Sequence, residues 1–526
     1  MPGLSSVDIT TPGVESARND WKPSTSVILI SLVYALALIV SINGSSLWAD
    51  EAFSAWLASH ETLRSFWASL IHGDSSDLQM GLYYLYLFGW SHIFGASEYA
   101  LRAANIPFIA LFAYSMVWAS AKIFRSRIAW IVPGLLPFVW HYAAEARPYM
   151  AMLGFGSAAL AALLAFIQAR GPDARRFPSL CLLAVFIGSC FHMLFLLAAP
   201  PLMLIGLQAW RGTRDNPKWE YWKSAARVFA LPFLALGAFF AFTFARGTAY
   251  DYPHPGLRQM ASVAYELSGL AGFGPNRKFS LDFRSYLIPL AIGGTLLLLG
   301  AVFAFRGGRA IRKTSPLLAG LAGAVCLAFL EAVVLSTAMG KQIDVRHLAA
   351  VVPLLLFLLL ATLSQNSKAA KVSMLLLASG WLIADLRLAV LPQYQKEDYR
   401  DAVPAALSIQ RQMGAEIAIV ADPVGAAYYG MNVEGAAPCF PIRQDCRGAF
   451  NMVPWTTRGG VAVEAERWPA SSIEEWLSTL RKRGVPVVVF AQTDRAHRES
   501  AWWAVLASGA ARSVTHMHGF DIDVLN

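Results

Sequence analysis

Residues 26–53, SVILISLVYALALIVSINGSSLWADEAF, join an uncharged apolar run (26–42) to the adjacent carboxylates Asp50 and Glu51. The apolar run is about as long as a helix that crosses a bilayer. Two carboxylates at the mouth of a membrane helix are costly to place, so they require a partner or a function. The alternative is that they begin the next helix, because its dipole stabilises negative charge at the N-terminus.

The composition predicts a polytopic helical membrane protein. The chain has 526 residues, of which 56% are hydrophobic and 15% are charged, and its mean hydropathy is +0.46. A soluble protein would carry roughly a quarter charged residues. The net charge of +9 does not indicate binding to nucleic acid, because Lys and Arg are spread over short loops between apolar runs, where they report topology.

Eleven apolar runs are predicted to span the membrane, with the N-terminus in the cytoplasm. This arrangement makes every alternate loop short and rich in Lys and Arg, as the positive-inside rule requires. The aromatic run 80–95 is predicted to lie at the interface, because a span there would place the basic segment 122–127 outside. The predicted spans are 26–42, 103–121, 128–143, 150–168, 178–191, 193–210, 228–244, 285–305, 316–339, 348–364 and 372–390.

The fold class is therefore an all-α polytopic membrane protein with a small C-terminal α/β domain outside the membrane. In the C-terminal part, helical patterns at 399–413 and 471–483 alternate with apolar strand patterns at 416–420 and 485–490. We expect Cys439 and Cys446 to be able to pair if this part is extracytoplasmic. No cleavable signal peptide is predicted, so the first span stays as an anchor. The predicted regions are a cytoplasmic tail (1–25), a transmembrane domain (26–391) with its first external loop (44–101), and an extracytoplasmic domain (392–526).

This topology brings polar residues from separate loops to the outer face. A carboxylate opposite Arg and Lys suits group transfer from a phosphate, since the carboxylate can remove a proton from an acceptor hydroxyl. Guanidinium groups can hold the phosphate and stabilise the charge that develops on it. A nucleotide sugar is not expected outside the cytoplasm, so the phosphate would be carried by a lipid. The polar residues are Asp50, Glu51, His72, Asp74, Asp77, Arg102, Glu145, Arg147, Tyr149, His192, Arg277, Lys278, Lys341, Arg346 and His347.

Four segments carry a family resemblance: LWADEAFSAW (47–56), LYYLYLFGWSHIFGASEYALR (82–102), EARPYM (145–150) and DVRHLAAVVPLL (344–355). In this order they resemble bacterial integral-membrane glycosyltransferases of the GT-C class. The similar groups are those related to protein O-mannosyltransferases, lipid A aminoarabinose transferases and rhizobial galacturonosyltransferases. The resemblance spans roughly residues 26–391. It implies a GT-C fold, a polyprenyl-phosphate-linked sugar donor, and an inverting transfer to a glycan, lipid or protein acceptor on the outer face of the cytoplasmic membrane.

The resemblance also implies roles for individual residues. Asp50 matches the acidic residue that acts as, or positions, the base, and Glu51 continues that motif. Glu145 falls where related enzymes place a second acidic residue. This chain has Glu-Ala-Arg there instead of a DxD motif, so a divalent metal is an open alternative without motif support, and no cofactor is predicted. Arg346 matches the late-loop arginine near the phosphate, with Arg-His in place of Arg-Tyr.

The other candidates for substrate or phosphate binding also have simpler explanations. Arg102 is assigned to this group from its place in the second segment. Arg277 and Lys278 follow a Gly-Pro turn and could bind anionic headgroups instead of the donor phosphate. Interfacial anchoring or snorkelling is the alternative for the remaining ones. These are Arg147, Tyr149, His192, Lys341 and His347.

Two other functions compete with the enzyme. A transporter or flippase of a lipid-linked intermediate should place charges at the middle of the membrane. Here the predicted spans are nearly free of charge apart from Glu331 and Asp385. A non-catalytic envelope-assembly subunit is the other alternative, and an intact Asp50 and Arg346 argue against it.

Overall fold

The structure is a computed structural model that describes a large part of the chain. Over the described residues, a bundle of apolar helices is followed by an α/β unit. The candidate disulfide residues Cys439 and Cys446 lie outside the described residues. The described ranges are 21–72, 75–169, 174–211, 218–245, 257–275, 283–312, 316–339, 344–365, 367–391, 394–421, 423–434, 461–464, 470–493 and 511–525.

Helix α10 (Tyr149–Gln168) lies at the centre of the bundle and is buried along most of its length. Its glycines allow the close packing: a Cβ on Gly154 would lie 2.9 Å from the carbonyl oxygen of Phe108, and one on Gly156 would lie 3.0 Å from that of Ala350. The helices before it are α1 Thr25–Ile39, α2 Ala49–Ala58, α3 Leu63–His72, α4 Ser75–Leu78, α5 Gly81–Phe94, α6 Glu98–Ala103, α7 Ile106–Lys122, α8 Ile131–Gly134 and α9 Pro137–Ala143. Those after it are α11 Arg176–Phe191, α12 Ala199–Arg211, α13 Lys218–Ala245, α14 Leu257–Leu267, α15 Leu287–Arg312, α16 Pro316–Met339, α17 Val352–Leu363 and α18 Lys368–Val390.

Ten of the eleven predicted spans coincide with apolar helices. Among the described residues, six helices are long and apolar enough to cross a membrane. They are Glu98–Lys122, Tyr149–Gln168, Trp219–Thr243, Leu287–Arg306, Leu317–Ala338 and Lys368–Val390. Four further predicted spans correspond to shorter apolar helices, Thr25–Ile39, Arg176–Phe191, Met193–Leu207 and Val352–Leu363. The side of the membrane on which each loop lies stays a prediction.

The predicted span 128–143 differs, because it is divided into α8 and α9. Pro133 and Pro137 lack an amide proton and interrupt the helical hydrogen-bond series. Backbone that leaves a helix inside a membrane protein must find other partners. The carbonyl of Gly134 accepts hydrogen bonds from the Tyr34 hydroxyl (3.2 Å) and from Nε1 of Trp140 (2.9 Å). The break is therefore satisfied by side chains of the bundle.

The aromatic run 80–95 forms α5, and its aromatic side chains have partners within the protein. Tyr83 and Tyr84 are fully buried. Tyr86 and Trp90 are half-buried, and they donate hydrogen bonds to the carbonyls of Ala104 (2.8 Å) and Ala100 (2.7 Å), respectively. Helix α5 packs between α2 and α11, so these aromatic side chains contact other parts of the protein, and the position of the run at the membrane interface stays a prediction.

The C-terminal part contains a six-stranded mixed sheet in the order β2-β3-β1-β4-β6-β5. The strands β2, β3, β1 and β4 are parallel. Strand β6 pairs antiparallel with β4, and β5 pairs antiparallel with β6. Helix α19 packs on one face against Ile417 and Phe490, and α21 packs on the other against Val489. The helix and strand predicted at 399–413 and 416–420 are confirmed. The strands are β1 Glu416–Val420, β2 Asn432–Glu434, β3 Val461–Glu464, β4 Val487–Gln492, β5 Ala511–Met517 and β6 Phe520–Leu525, and the helices are α19 Tyr399–Met413, α20 Pro423–Tyr428 and α21 Ala470–Lys482.

Gly272, in the segment after α14, packs so closely against helix α18 that a single added methyl group should lower stability. A Cβ on Gly272 would lie 2.6 Å from Cβ and 2.7 Å from the carbonyl oxygen of Ala384, neither of which can rotate away. We expect Gly272→Ala to lower the free energy of unfolding by about 1–3 kcal/mol through overpacking. Thermal unfolding in detergent measures this. Gly89→Ala is the matched control, since its Cβ would meet nothing within 4 Å, and equal unfolding temperatures for the two variants would contradict the prediction.

Candidate active site

The two adjacent carboxylates lie in the first turn of α2, where the helix dipole stabilises negative charge. Their surroundings differ. The side chain of Glu51 is fully buried, whereas that of Asp50 is 22% exposed. One turn of helix therefore directs one carboxylate into the protein and leaves the other accessible.

The Glu51 carboxylate accepts four hydrogen bonds. Oε1 accepts from Nε of Arg102 (2.9 Å) and from the backbone amide of Ala146 (2.8 Å). Oε2 accepts from Nη2 of Arg102 and from Nζ of Lys396, both at 2.8 Å. Burial by itself would raise the pKa of Glu51, but Lys396 and Arg102 hold it well below its usual range. Glu51 is thus ionised and its lone pairs are occupied.

Arg102 is equally enclosed. Its side chain is fully buried, and besides its two bonds to Glu51 it donates to the carbonyls of Asn43 (2.9 Å), Ser45 (2.7 Å) and Ser46 (3.1 Å). All five N–H groups of the guanidinium are used in this way. The expected assignment of Arg102 to substrate or phosphate, and of Glu51 to catalysis, therefore does not fit their surroundings. Together they hold the segment 43–46 and α2 on α6.

Asp50 faces two arginines. Its Oδ2 accepts a hydrogen bond from Nη1 of Arg346, and Nη2 of Arg147 lies 3.9 Å from the same oxygen. Asp50 comes from α2, in the loop 44–101, and Arg346 comes from the 3-10 helix Val345–Leu348, almost three hundred residues later. The fold thus brings together the acid and the late arginine that the sequence singled out.

Arg147 is fixed behind Asp50 by a buried network. Nη1 of Arg147 donates to the hydroxyl of Tyr84 at 2.7 Å, and to Oγ of Ser54 at 3.3 Å. The Tyr84 hydroxyl in turn donates to Oδ1 of Asp77 at 3.1 Å. Tyr84 was missed as a site residue, because an aromatic residue in an apolar run carries no sign of which face it presents. Simple anchoring of Arg147 at the membrane interface does not account for its buried partners.

Besides Asp50, Arg346 lies close to a second carboxylate and to an aromatic ring. Its Nη2 lies 3.6 Å from Oδ2 of Asp344, and its Cζ lies 5.5 Å from the ring centre of Trp48. Its side chain is 22% exposed. Nε of Arg346 and Nε of Arg147 are buried without an acceptor among the described residues. Two guanidinium groups beside Asp50 therefore retain unused donor capacity, which an anionic ligand could use.

Glu145 lies in the turn before α10. Its side chain is 2% exposed; Oε2 lies 3.3 Å from Nε2 of His141, and Oε1 is buried without a partner in the described part of the chain. The amide of Asn105 donates to the carbonyl of Glu145 at 2.6 Å and so holds the turn in place. Burial alone would raise the pKa of Glu145, but Lys396 and His141 lower it. A second buried, ionised carboxylate thus lies close to the Glu51 cluster.

His192 directly precedes the 3-10 helix Met193–Ala198, and His347 lies within the 3-10 helix Val345–Leu348; the two helices contact each other. Nδ1 of His192 accepts from the amide of Leu194 (3.1 Å), and Nδ1 of His347 accepts from the amide of Asp344 (3.0 Å). Burial, followed by Arg346, lowers the pKa of His347 to about 4, and burial lowers that of His192 well below its usual range. Both rings are therefore neutral at pH 7, with their proton on Nε2.

The remaining candidates fall into two groups. Tyr149 is buried at the start of α10, 5.0 Å from the ring of Tyr142 and 6.3 Å from that of His192. Arg277, Lys278 and Lys341 lie outside the described residues, as do Asp74 and the side chain of His72. Within the described ranges, no group of three His, Cys, Asp or Glu side chains is placed to hold a metal ion.

The bundle of apolar helices with its C-terminal α/β unit has the GT-C fold. It superposes on the crystal structure of ArnT from Cupriavidus metallidurans in the apo state, with a TM-score of 0.50 and 15% sequence identity, over 94% of this chain and 97% of that chain. The expected GT-C fold is thereby confirmed, and the resemblance to the lipid A aminoarabinose transferases holds at the level of the fold. No protein-family model and no curated protein sequence matches the chain.

The buried cluster around Glu51 predicts a pH-dependent contribution to stability. A carboxylate whose pKa is lowered in the folded state stabilises fully above its unfolded pKa, and this contribution is lost as the pH falls through the folded pKa. We expect Glu51→Gln to lower the free energy of unfolding at pH 7 by about 3–5 kcal/mol, since it leaves buried cations unpaired. The difference from wild type should shrink as the pH falls below the ordinary value of 4.5. Thermal unfolding in detergent at several pH values tests this, with the exposed Glu474→Gln as control; a difference that does not change with pH would contradict it.

Proposed function

We propose that the protein is a glycosyltransferase that moves a sugar from a polyprenyl-phosphate-linked donor to a glycan, lipid or protein acceptor. The proposed place is the outer face of a bacterial cytoplasmic membrane, with residues 26–391 as the catalytic domain and 392–526 outside. The observation that carries the proposal is the pair formed by Asp50 and Arg346, a partly exposed acid and a partly exposed arginine on a GT-C fold.

The chemistry follows from this pair. The acceptor oxygen forms a bond to the anomeric carbon while the bond from that carbon to the phosphate oxygen breaks. The acceptor proton passes to Asp50, and the negative charge leaves on polyprenyl phosphate, where Arg346 and Arg147 stabilise it. Because the acceptor attacks opposite the leaving phosphate, the transfer is inverting.

The contact between Asp50 and Arg346 suggests an order of events. In the free protein, Arg346 donates to the oxygen that would accept the proton. A bound phosphodiester competes for the same guanidinium, because its two non-bridging oxygens can accept hydrogen bonds from Arg346 and Arg147 together. Binding of the donor would thus release Asp50 to act as the base. His192, His347 and Tyr149 are also proposed to contact the donor, as are Arg277, Lys278 and Lys341.

Asp50→Asn tests the proposal, since it keeps the size of the side chain and removes its basicity. We expect transfer to fall by roughly 10²- to 10⁴-fold. Membranes from cells that lack a comparable activity would be given lipid-linked sugars, and the products followed by mass spectrometry. Glu61→Gln, an exposed change in the same loop, is the control at matched expression. Equal transfer by wild type and Asp50→Asn would make Asp50 a helix-capping residue and bring forward the transporter or the assembly subunit.

Arg346→Lys tests the phosphate-binding role. A lysine keeps the positive charge but cannot hold two phosphate oxygens in one plane. We expect a higher KM for the lipid-linked donor, a lower kcat, and weaker inhibition by polyprenyl phosphate. Steady-state kinetics with varied donor measures all three, and Arg284→Lys, at an exposed position, is the control. Unchanged inhibition by polyprenyl phosphate would show that Arg346 does not contact it.

A further inference from the structure

The C-terminal α/β unit contacts the first external loop on both sides of α2. Arg400 of α19 donates to the carbonyl of Gly44 and, from Nε, to Oε1 of Glu98 at 3.1 Å. Gly44 precedes α2 and Glu98 begins α6. A single side chain of the C-terminal unit therefore joins the two ends of this loop.

The last residue of α20, Tyr428, and the next residue, Tyr429, make the same connection. The Tyr429 hydroxyl accepts from the amide of Leu47 (2.8 Å) and donates to Oε1 of Glu98 (3.0 Å). The Tyr428 hydroxyl donates to the carbonyl of Ala96 at 2.9 Å. These partners are mostly backbone groups, so the contacts fix the course of the loop.

Lys396, between α18 and α19, extends these contacts to the proposed catalytic turn. Its Nζ is the fourth donor to the Glu51 carboxylate, and its side chain is 21% exposed. Glu51 and Glu145 carry two negative charges, and Arg102 and Lys396 carry two positive charges. Lys396 thus supplies the second positive charge against these buried carboxylates, beside His141, which contacts Glu145 from an exposed position, and a buried carboxylate without compensation is costly.

The edge of the sheet formed by the carboxyl ends of its parallel strands takes part in this contact. In open α/β sheets, ligands bind outside the carboxyl ends of the strands where the strand order reverses. Here Gln492, at the end of β4, donates to Glu397 at 3.1 Å and accepts from the hydroxyl of Tyr399 at 3.1 Å. The edge thus holds the chain segment that carries Lys396, and α20 extends from the end of β1 toward α2.

We propose that the C-terminal α/β unit is a clamp on the first external loop, and that Lys396 is a positioning residue which, through Glu51, holds the first turn of α2 and the neighbouring Asp50 in place for transfer. This inference rests on the proposed function. It gives the C-terminal unit a role in the transfer step.

Lys396→Met tests the clamp, since methionine keeps the apolar stem and removes the ammonium. We expect faster amide hydrogen exchange in α2 with unchanged exchange in β1 and β4. We also expect kcat to fall roughly 10- to 100-fold while KM stays nearly constant, because a misplaced base affects the transfer step more than binding. Lys396→Arg should restore both quantities toward wild type, and Lys482→Met, exposed on α21 of the same unit, should change neither.

The outcomes separate the two proposals. Unchanged exchange in α2, or faster exchange in β1 and β4 as well, would overturn the clamp. A lower kcat that Lys396→Arg fails to restore would also overturn the positioning role. If the wild type transfers no sugar, the proposed function fails, and the exchange of α2 in Lys396→Met still decides whether the clamp exists.

Discussion

The structure around the candidate site depends on one buried carboxylate with four hydrogen-bond donors. Glu51 is fully enclosed, and an isolated charge in such a place would cost several kcal/mol. The four donors that compensate it come from three other parts of the chain: Arg102 donates twice, and the amide of Ala146 and Lys396 donate once each. Because each donor needs a defined distance and angle, this one group fixes the relative positions of α2, α6, the turn before α10, and the segment before α19.

The orientation of Asp50 depends on its neighbour Glu51. Successive residues of a helix point in directions about 100° apart, so a turn whose Glu51 faces inward can direct Asp50 toward the accessible side. The same sequence motif thus contains one carboxylate that is paired in the interior and one that is accessible. Adjacent acidic groups in enzymes often take different roles for this reason, since the environment of each decides its protonation and its partners.

The helices could be predicted well from the sequence, because their signal is local. Long apolar runs specify helices in a membrane, and ten of the predicted spans coincide with apolar helices. Where prediction failed, the missing information was not local. Pro133 and Pro137 divide one apolar run. The break is tolerated because Tyr34 and Trp140 donate hydrogen bonds to the carbonyl of Gly134. Tyr84 belongs to the site because Arg147, 63 residues away, donates to its hydroxyl.

The sequence by itself determined that this is a polytopic helical membrane protein with a C-terminal α/β unit, and it pointed to Asp50 and Arg346. It did so because each apolar run and each motif is a pattern within a short stretch of chain. Only the tertiary structure decided that Glu51 and Arg102 neutralise each other in the interior, that Arg147 stands behind Asp50, and that Lys396 completes the cluster from 345 residues away. In the sequence, a charged side chain that binds substrate looks the same as one that pairs with another side chain. The two cases differ only in which distant segments the fold brings within hydrogen-bond distance.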